Sequence, residues 1–381
     1  MQNFNFKNPV KIIFGKDTIS KIGPAAAAAG KKALLVYGGG SIKKNGVYEA
    51  VIKTLTSSGI AVVEHPGVKP NPALAHVREG VKKAKAEHCD LIVAAGGGSV
   101  IDSAKTIAAG ARYDGDVWDF FCGKAAIKKA LPLFTVLTLP ATGSEMNSGC
   151  VVTNTETQQK YSVNSPALFP VVSVLDPAVT MSLPREQVAN GAVDAIAHII
   201  EGYFTTTDAD NIVTDEIVHA LARSVIASTH RIMKDPADYN ARASMMWSAT
   251  LALNGLGSCG YGGTSFINHA IEHSLSAIYD IAHGAGLAIV MPAWFKYHLA
   301  ASGPARLEKF GRSVFGTAGA EETIKAFEAF FKKTGAPVRL AEAKIPAADI
   351  PRIAQNAMGL IRQWGIQHTQ PEIEKILSAA I

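Results

Sequence analysis

In Asp90-Leu-Ile-Val-Ala-Ala95-Gly96-Gly-Gly-Ser99-Val-Ile-Asp102-Ser-Ala-Lys105 a short apolar run meets three glycines and a serine, and helical spacing opens directly behind them. Strand, tight glycine turn and helix make the βα unit of a parallel nucleotide-binding sheet. Glycines carry no Cβ, so a ligand can approach the backbone closely. The helix starting there points free N–H groups and a partial positive charge at the same spot, which suits a diphosphate. The run is not the Gly-x-Gly-x-x-Gly fingerprint, and a glycine turn between strand and helix also has a purely steric reading.

The pattern repeats outward. Upstream, Ala33-Leu-Leu-Val-Tyr37 reads as a buried strand ending in Gly38-Gly39-Gly40-Ser41; helical spacing follows from Val47 to Leu55, and Ile60-Ala-Val-Val63 returns to strand. Val10-Lys-Ile-Ile-Phe14 is a further strand, and Pro66-Gly-Val-Lys-Pro70-Asn71-Pro72 breaks the chain before a helix running to about His88. Downstream, Phe134-Thr-Val-Leu-Thr138 runs into Leu139-Pro-Ala-Thr142-Gly-Ser-Glu145, a hydroxyl-rich turn able to hold ribose, phosphate or carboxamide. Thr142 and Glu145 equally fit a capping box. Cys150 to Val163 reads as a hairpin whose second strand carries Lys160 toward a cleft. From Pro184 onward nearly every segment has helical spacing, which places a boundary near residue 180. The expected fold is a Rossmann-like α/β nucleotide-binding domain over 1–180 and an all-helical domain over 181–381.

The helical half holds Phe266-Ile-Asn-His269-Ala-Ile-Glu-His273-Ser-Leu-Ser-Ala-Ile-Tyr-Asp-Ile-Ala-His283-Gly284, with three of the eleven histidines. His269 and His273 are four apart and project from one helix face, while His283 sits at a break where the chain can turn back toward them. A lone histidine on an apolar face is more often a hydrogen-bonded core residue than a ligand. A converging set reads differently. Asp194 and His198, also four apart in an apolar run, add an acidic oxygen and a fourth imidazole. An unpaired carboxylate there costs several kcal/mol to bury unless a cation meets it, so a divalent metal is a natural partner. A nearby arginine or backbone amide is the alternative.

With 381 residues, 48% of them apolar and 18% charged, the chain is long enough for two domains and two cores. No window has the apolar length of a membrane span, and Met1-Gln-Asn-Phe-Asn-Phe-Lys-Asn-Pro9 lacks the core of a signal peptide; the expected location is the cytoplasm. Cys89, Cys122, Cys150 and Cys259 show no Cys-x-x-Cys spacing, against a disulfide framework and a thiolate zinc site. The charge of +5 is mild, and the lysine pairs are dispersed without interleaved aromatics, which argues against a nucleic-acid partner.

Taken together, Tyr37-Gly-Gly-Gly-Ser-Ile-Lys-Lys-Asn-Gly46, Gly96 to Asp102, Leu139 to Glu145, the run from Asp176 through Asp194 and His198 to Glu201, and the stretch from His269 to Gly284 resemble the iron-containing, or group III, alcohol dehydrogenases. The resemblance covers the whole chain and is strongest toward the butanol dehydrogenase and broad-range aldehyde reductase branch. It implies a dehydroquinate synthase-like architecture and a divalent metal on Asp194, His198, His269 and His283. Its implied cofactor positions are Gly38, Gly39, Ser41, Gly96, Gly97, Gly98, Ser99, Asp102, Thr138, Thr142 and Lys160. His273 lies beside the metal in such proteins and is the candidate proton relay. The implied reaction passes hydride between NAD(P)H and short-chain aldehydes or alcohols.

Imidazole-rich ligation suits iron, zinc or nickel, and four protein ligands lean toward iron. No carboxylate follows Tyr37 to repel a 2'-phosphate, and Ser41 with Lys43 or Lys44 can accept one, so NADP(H) is expected over NAD(H). Phe266, Tyr261, Trp118, Phe120, Trp247 and Cys259 are candidate walls of an apolar substrate pocket. The rival readings are a polyol (glycerol or propanediol) dehydrogenase, a dehydroquinate synthase-like lyase and a non-catalytic nucleotide binder. The resemblance also implies a homodimer or higher homo-oligomer, with Phe4 to Phe14 as the pairing edge.

Overall fold

The apolar runs pair as expected from their glycine punctuation in a computed structural model, which describes residues 1–208 and 210–381. Six strands form one parallel sheet: β1 (Lys11–Phe14), β2 (Lys32–Gly38), β3 (Ala61–Val68), β4 (Leu91–Gly97), β5 (Leu133–Leu139) and β8 (Val172–Leu175), in the order β1-β8-β5-β4-β2-β3. Strands β6 (Gly149–Asn154) and β7 (Gln159–Asn164) make a separate antiparallel hairpin. The longer helices are α1 (Val47–Ser57), α2 (Leu74–Ala86), α3 (Gly98–Gly110), α4 (Arg185–Thr205), α5 (Ile212–Lys234), α6 (Tyr239–Ala252), α7 (Ile267–Tyr279), α8 (His283–Ser302), α9 (Ala305–Val314), α10 (Ala320–Thr334), α11 (Ile350–Gln363) and α12 (Gln370–Ser378).

Alternation along β2 and β4 puts each face of the sheet in its own core. Leu35, Tyr37, Leu91 and Val93 pack under Val47, Val51 and Leu55 of α1, whereas Leu34, Val36, Ile92 and Ala94 pack under α2 and α3 through Val77, Ile101, Ala104 and Ile107. The chain therefore leaves the adjacent strands β2 and β4 toward opposite faces. Their carboxyl ends form the crevice at which open α/β sheets bind ligands.

Two local expectations change. Pro66 does not end the third strand: β3 continues to Val68, because an edge strand has no second neighbour to demand the missing N–H. Of the Phe4 to Phe14 stretch only Lys11–Phe14 is strand, paired with β8 at the sheet edge.

The chain divides into two compact units, an α/β unit of residues 7–183 with 236–250 and a helical unit of residues 1–6, 184–235 and 251–381. Two segments thus depart from a single cut near residue 180. Most of α6 joins the sheet, placing Met246 in its core, Trp247 edge-on to Phe14 and the Thr250 hydroxyl 2.5 Å from Glu145 Oε1. In the helical unit the Gln2 N–H donates to the Gly260 carbonyl at 2.9 Å. No helix among the described residues is long and apolar enough to cross a membrane.

Candidate metal centre and nucleotide crevice

Helix α4 carries Asp194, His198 and Glu201 on successive turns of its buried face. Glu201 is fully buried and does two things at once. Its Oε1 accepts the backbone N–H of Asn268 at 2.6 Å and of His269 at 3.4 Å, satisfying free donors at the start of α7. Its Oε2 takes Nδ1 of His269, which turns Nε2 of that ring toward Asp194.

Helix α7 is capped at its end by Asp280, which adopts the left-handed conformation (φ 52°), and three residues later α8 opens at His283. Glu272 bonds Nδ1 of His283, which again turns Nε2 toward Asp194. The Ser276 hydroxyl donates to Glu272 Oε1 and lies 3.2 Å from the Ile281 carbonyl, tying the carboxylate to the turn that brings His283 back. Gly286 makes room for this arrangement: a Cβ there would fall 2.7 Å from Glu272 Oε1. Gly284 has the same function against α4, where a Cβ would fall 2.1 Å from the Asn190 carbonyl oxygen.

Around Asp194 Oδ1 lie His198 Nδ1 at 3.3 Å, His283 Nε2 at 3.6 Å and His269 Nε2 at 3.7 Å. Asp194 Oδ1, His198 Nδ1 and His269 Nε2 are buried without a hydrogen-bond partner. Buried polar atoms are rarely left so, and three aimed at one another mark a place for a cation. The electrostatics agree. Burial pushes the Asp194 carboxyl up, but the surrounding imidazoles of His198, His283 and His269 outweigh it and hold the group at about 2. Burial lowers the His198 imidazole to about 4, keeping it a neutral lone-pair donor. Burial opposes charge on His269 too, yet Glu201 and Asp194 raise it to about 10, so a metal bound at Nε2 would displace a proton from this ring. Three imidazoles and one carboxylate fit a divalent ion, and the carboxylates behind two of the rings are the outer partners that metal-bound histidines usually have.

His273, one turn after His269, is 4% exposed. Its ring centre is 5.5 Å from that of His283 and 5.7 Å from that of Trp364, to which it is edge-on. Among the residues considered for an apolar pocket, Phe266 lies 5.5 Å from the His269 ring and 6.4 Å from the His198 ring. The others have neighbours of their own: Tyr261 bonds the Asp215 carboxylate, Trp118 stacks on Tyr161 and Phe121, and Phe120 packs on Tyr113.

In the α/β unit, parallel pairing of Ala33–Tyr37 with Leu91–Ala95 sets Gly38, Gly39 and Ser41 beside Gly96, Gly97, Gly98 and Ser99. Pairing of Gly97 with Leu139 brings Thr138 and Thr142 to the same edge. Gly98 has a steric reason to be glycine, since a Cβ would fall 2.4 Å from the Thr142 side chain, whereas a Cβ on Gly39 meets nothing within 4 Å. Lys160 on β7 donates to Asn71 Oδ1 at 2.9 Å. Asp102 is 7% exposed and faces the loop after β5. Glu145 completes no capping box with Thr142; its buried carboxylate goes to Thr250 instead.

Three residues of these sites escaped the sequence reading. Glu201 and Glu272 were signalled only as carboxylates inside apolar helix faces, and Asn71 only as a non-proline between two prolines.

The comparisons with known proteins bear on the same elements. The family model for iron-containing alcohol dehydrogenase matches residues 9–177 and that for the C-terminal region of the Fe-containing alcohol dehydrogenase family matches residues 188–381. A probable NADH-dependent butanol dehydrogenase of Bacillus subtilis is 43% identical over 94% of each chain. The NADPH-dependent aldehyde reductase of Escherichia coli is 36% identical over 93% of this chain and 92% of its own. The crystal structure of an NADH-dependent butanol dehydrogenase A from Thermotoga maritima superposes with a TM-score of 0.97 at 48% identity, covering 100% of this chain and 99% of that one. With both halves matched and the likeness running end to end, the chain belongs to the iron-containing alcohol dehydrogenase family and is an oxidoreductase.

Proposed function

We propose that this protein is a metal-dependent reductase of short-chain aldehydes such as butanal, oxidising the corresponding alcohols in reverse, with NADP(H) favoured over NAD(H). The observation that carries the reading is the convergence of donor atoms from Asp194, His198, His269 and His283, three of them without a hydrogen-bond partner. A divalent cation held there, iron or zinc, would supply Lewis acidity toward a carbonyl oxygen.

The protein's own residues do the remaining work. Asp194 is the single carboxylate among four ligands, so the loaded set keeps net positive charge. Glu201 and Glu272 hold the rings of His269 and His283 with Nε2 inward. A ring nitrogen of His273 passes the proton that accompanies hydride, a task suited to an imidazole near neutral pH. Gly38, Gly39, Ser41, Gly96, Gly97, Gly98, Ser99, Thr138, Thr142 and Lys160 hold the nucleotide at the crevice, with the start of α3 facing its phosphates.

No carboxylate occurs between Gly38 and Gly46. Lys43, two residues after Ser41, lies over the Tyr48 ring, 4.5 Å from its centre, and is the cation offered to a 2'-phosphate in this reading. Relatives named for NADH and for NADPH fall on both sides of this choice. A homodimer or larger assembly built on the outer edge of β1, whose last residue Phe14 is 40% exposed, accompanies the reading.

The test is initial-rate reduction of butanal with NADPH and NADH side by side, on protein stripped of metal and restored with iron or zinc. Metal-dependent oxidation, faster with NADPH, is expected. A faster rate with NADH removes the cofactor preference. Turnover of glycerol or propanediol without butanal moves the substrate to polyols.

A further inference from the structure

Asp102 and Lys105 stand one turn apart on α3, 7% and 0% exposed, and both spend their hydrogen bonds on the same loop. Asp102 Oδ1 accepts from the Ser144 hydroxyl at 2.7 Å and Oδ2 from the Val151 N–H at 3.2 Å. The three protons of Lys105 go to the Asn147 carbonyl (2.8 Å), Asn147 Oδ1 (2.9 Å) and the Gly149 carbonyl (2.7 Å). Asn147 in turn donates from Nδ2 to the Thr142 carbonyl at 3.4 Å, and the Ser144 N–H donates to the Thr142 hydroxyl at 3.1 Å. The loop so held presses the Thr142 side chain against Gly98, the first residue of α3.

We propose that Asp102 and Lys105 form a buried clamp that locks the loop from Thr142 into the first residues of β6 onto the start of α3, making both of them positioning residues for the nicotinamide nucleotide. The inference rests on the reading of the crevice as the nucleotide site. It gives Asp102 a task different from direct contact with the cofactor, and it gives Lys105 a task where none has been assigned. Loop packing alone calls for apolar residues, because a lysine and an aspartate lose hydration on burial that packing does not return. What the charged pair adds is direction: five oriented hydrogen bonds fix one loop geometry. That geometry sets the distance between Thr142 and the free N–H groups at Gly98 and Ser99, the two sides between which the nucleotide would lie.

The experiment uses the metal-loaded full-length enzyme with Lys105→Met, and Ser144→Ala as a milder variant that removes a single bond of the clamp. Nucleotide affinity is measured by titration of NADPH and NADH fluorescence, alongside KM for nucleotide, KM for butanal, kcat and metal content. The expected result for Lys105→Met is a rise of about tenfold in nucleotide Kd and KM, with butanal KM and metal content within about twofold of wild type. Ser144→Ala should show the same split at about threefold, and it decides the matter if Lys105→Met does not fold. A folded variant whose nucleotide affinity is unchanged, or whose kcat alone falls, overturns the clamp. Wild-type protein that binds neither nucleotide overturns the crevice reading beneath it, and the proposal with it.

Discussion

The α/β unit buries Asp102 and Lys105 with their oxygens and protons taken up by the protein, while the helical unit buries Asp194, His198 and His269 with donor atoms facing one another and no hydrogen-bond partner. Both arrangements place charge where water is scarce. The paired one holds a loop; the unpaired one presents the donor set that a cation takes. Burial with satisfaction therefore reads as positioning, and burial without it reads as a ligand site. Glu145 qualifies the rule. Its Oε2 lacks a partner, but its Oε1 accepts from the Thr250 hydroxyl and burial raises its carboxyl, which lessens the charge left there.

The contrast breaks most visibly at the centre of the helical cluster. Asp194→Ala removes the one carboxylate, and kcat/KM for butanal should fall by about a thousandfold or more while nucleotide affinity stays within twofold, checked by steady-state rates beside a fluorescence titration. Activity near wild type would take Asp194 out of the site. A smaller effect is expected one layer out. Glu272→Gln keeps the shape of the side chain but weakens its hold on His283, and metal affinity should drop by about 10- to 100-fold in competition with a chelator.

The smallest effect separates the units by pH. His65 in the α/β unit stacks on His76 with ring centres 4.1 Å apart. Burial, then the neighbouring His76 and Lys83, push its pKa down to about 4. The unfolded chain takes up this proton near pH 6.5 and the folded chain only near pH 4. Stability is therefore lost as pH falls through that window, by on the order of 2–3 kcal/mol from this group. Urea unfolding at pH 7 and pH 4.5 should show a smaller acid loss for His65→Asn than for wild type. An equal loss would assign it to the histidines of the helical unit that burial also lowers, such as His219 and His298.

Much of this is legible in the sequence. The apolar runs ending at Gly38 and Gly96 announce parallel strands, and the spacings from Asp194 to His198 and from His269 to His273 announce shared helix faces, because both signals are local. What sequence could not supply is which distant groups meet. Nothing in the spacing says that Glu201 reaches across to α7, that Glu272 turns back to His283, or that Lys105 ends on Asn147, 42 residues away. Nor does periodicity say that α6, helical like its neighbours, packs on the sheet. These are products of tertiary packing, and they are where the sites acquire their geometry.

The central claim, that the orphaned atoms of the helical cluster are metal ligands, is tested most directly by X-ray absorption on zinc-loaded protein. The account predicts a first shell of nitrogen and oxygen at about 2.0–2.2 Å with imidazole scattering from three rings, falling to two in His198→Ala. A sulfur shell at about 2.3 Å, or imidazole scattering unchanged in that variant, would contradict it.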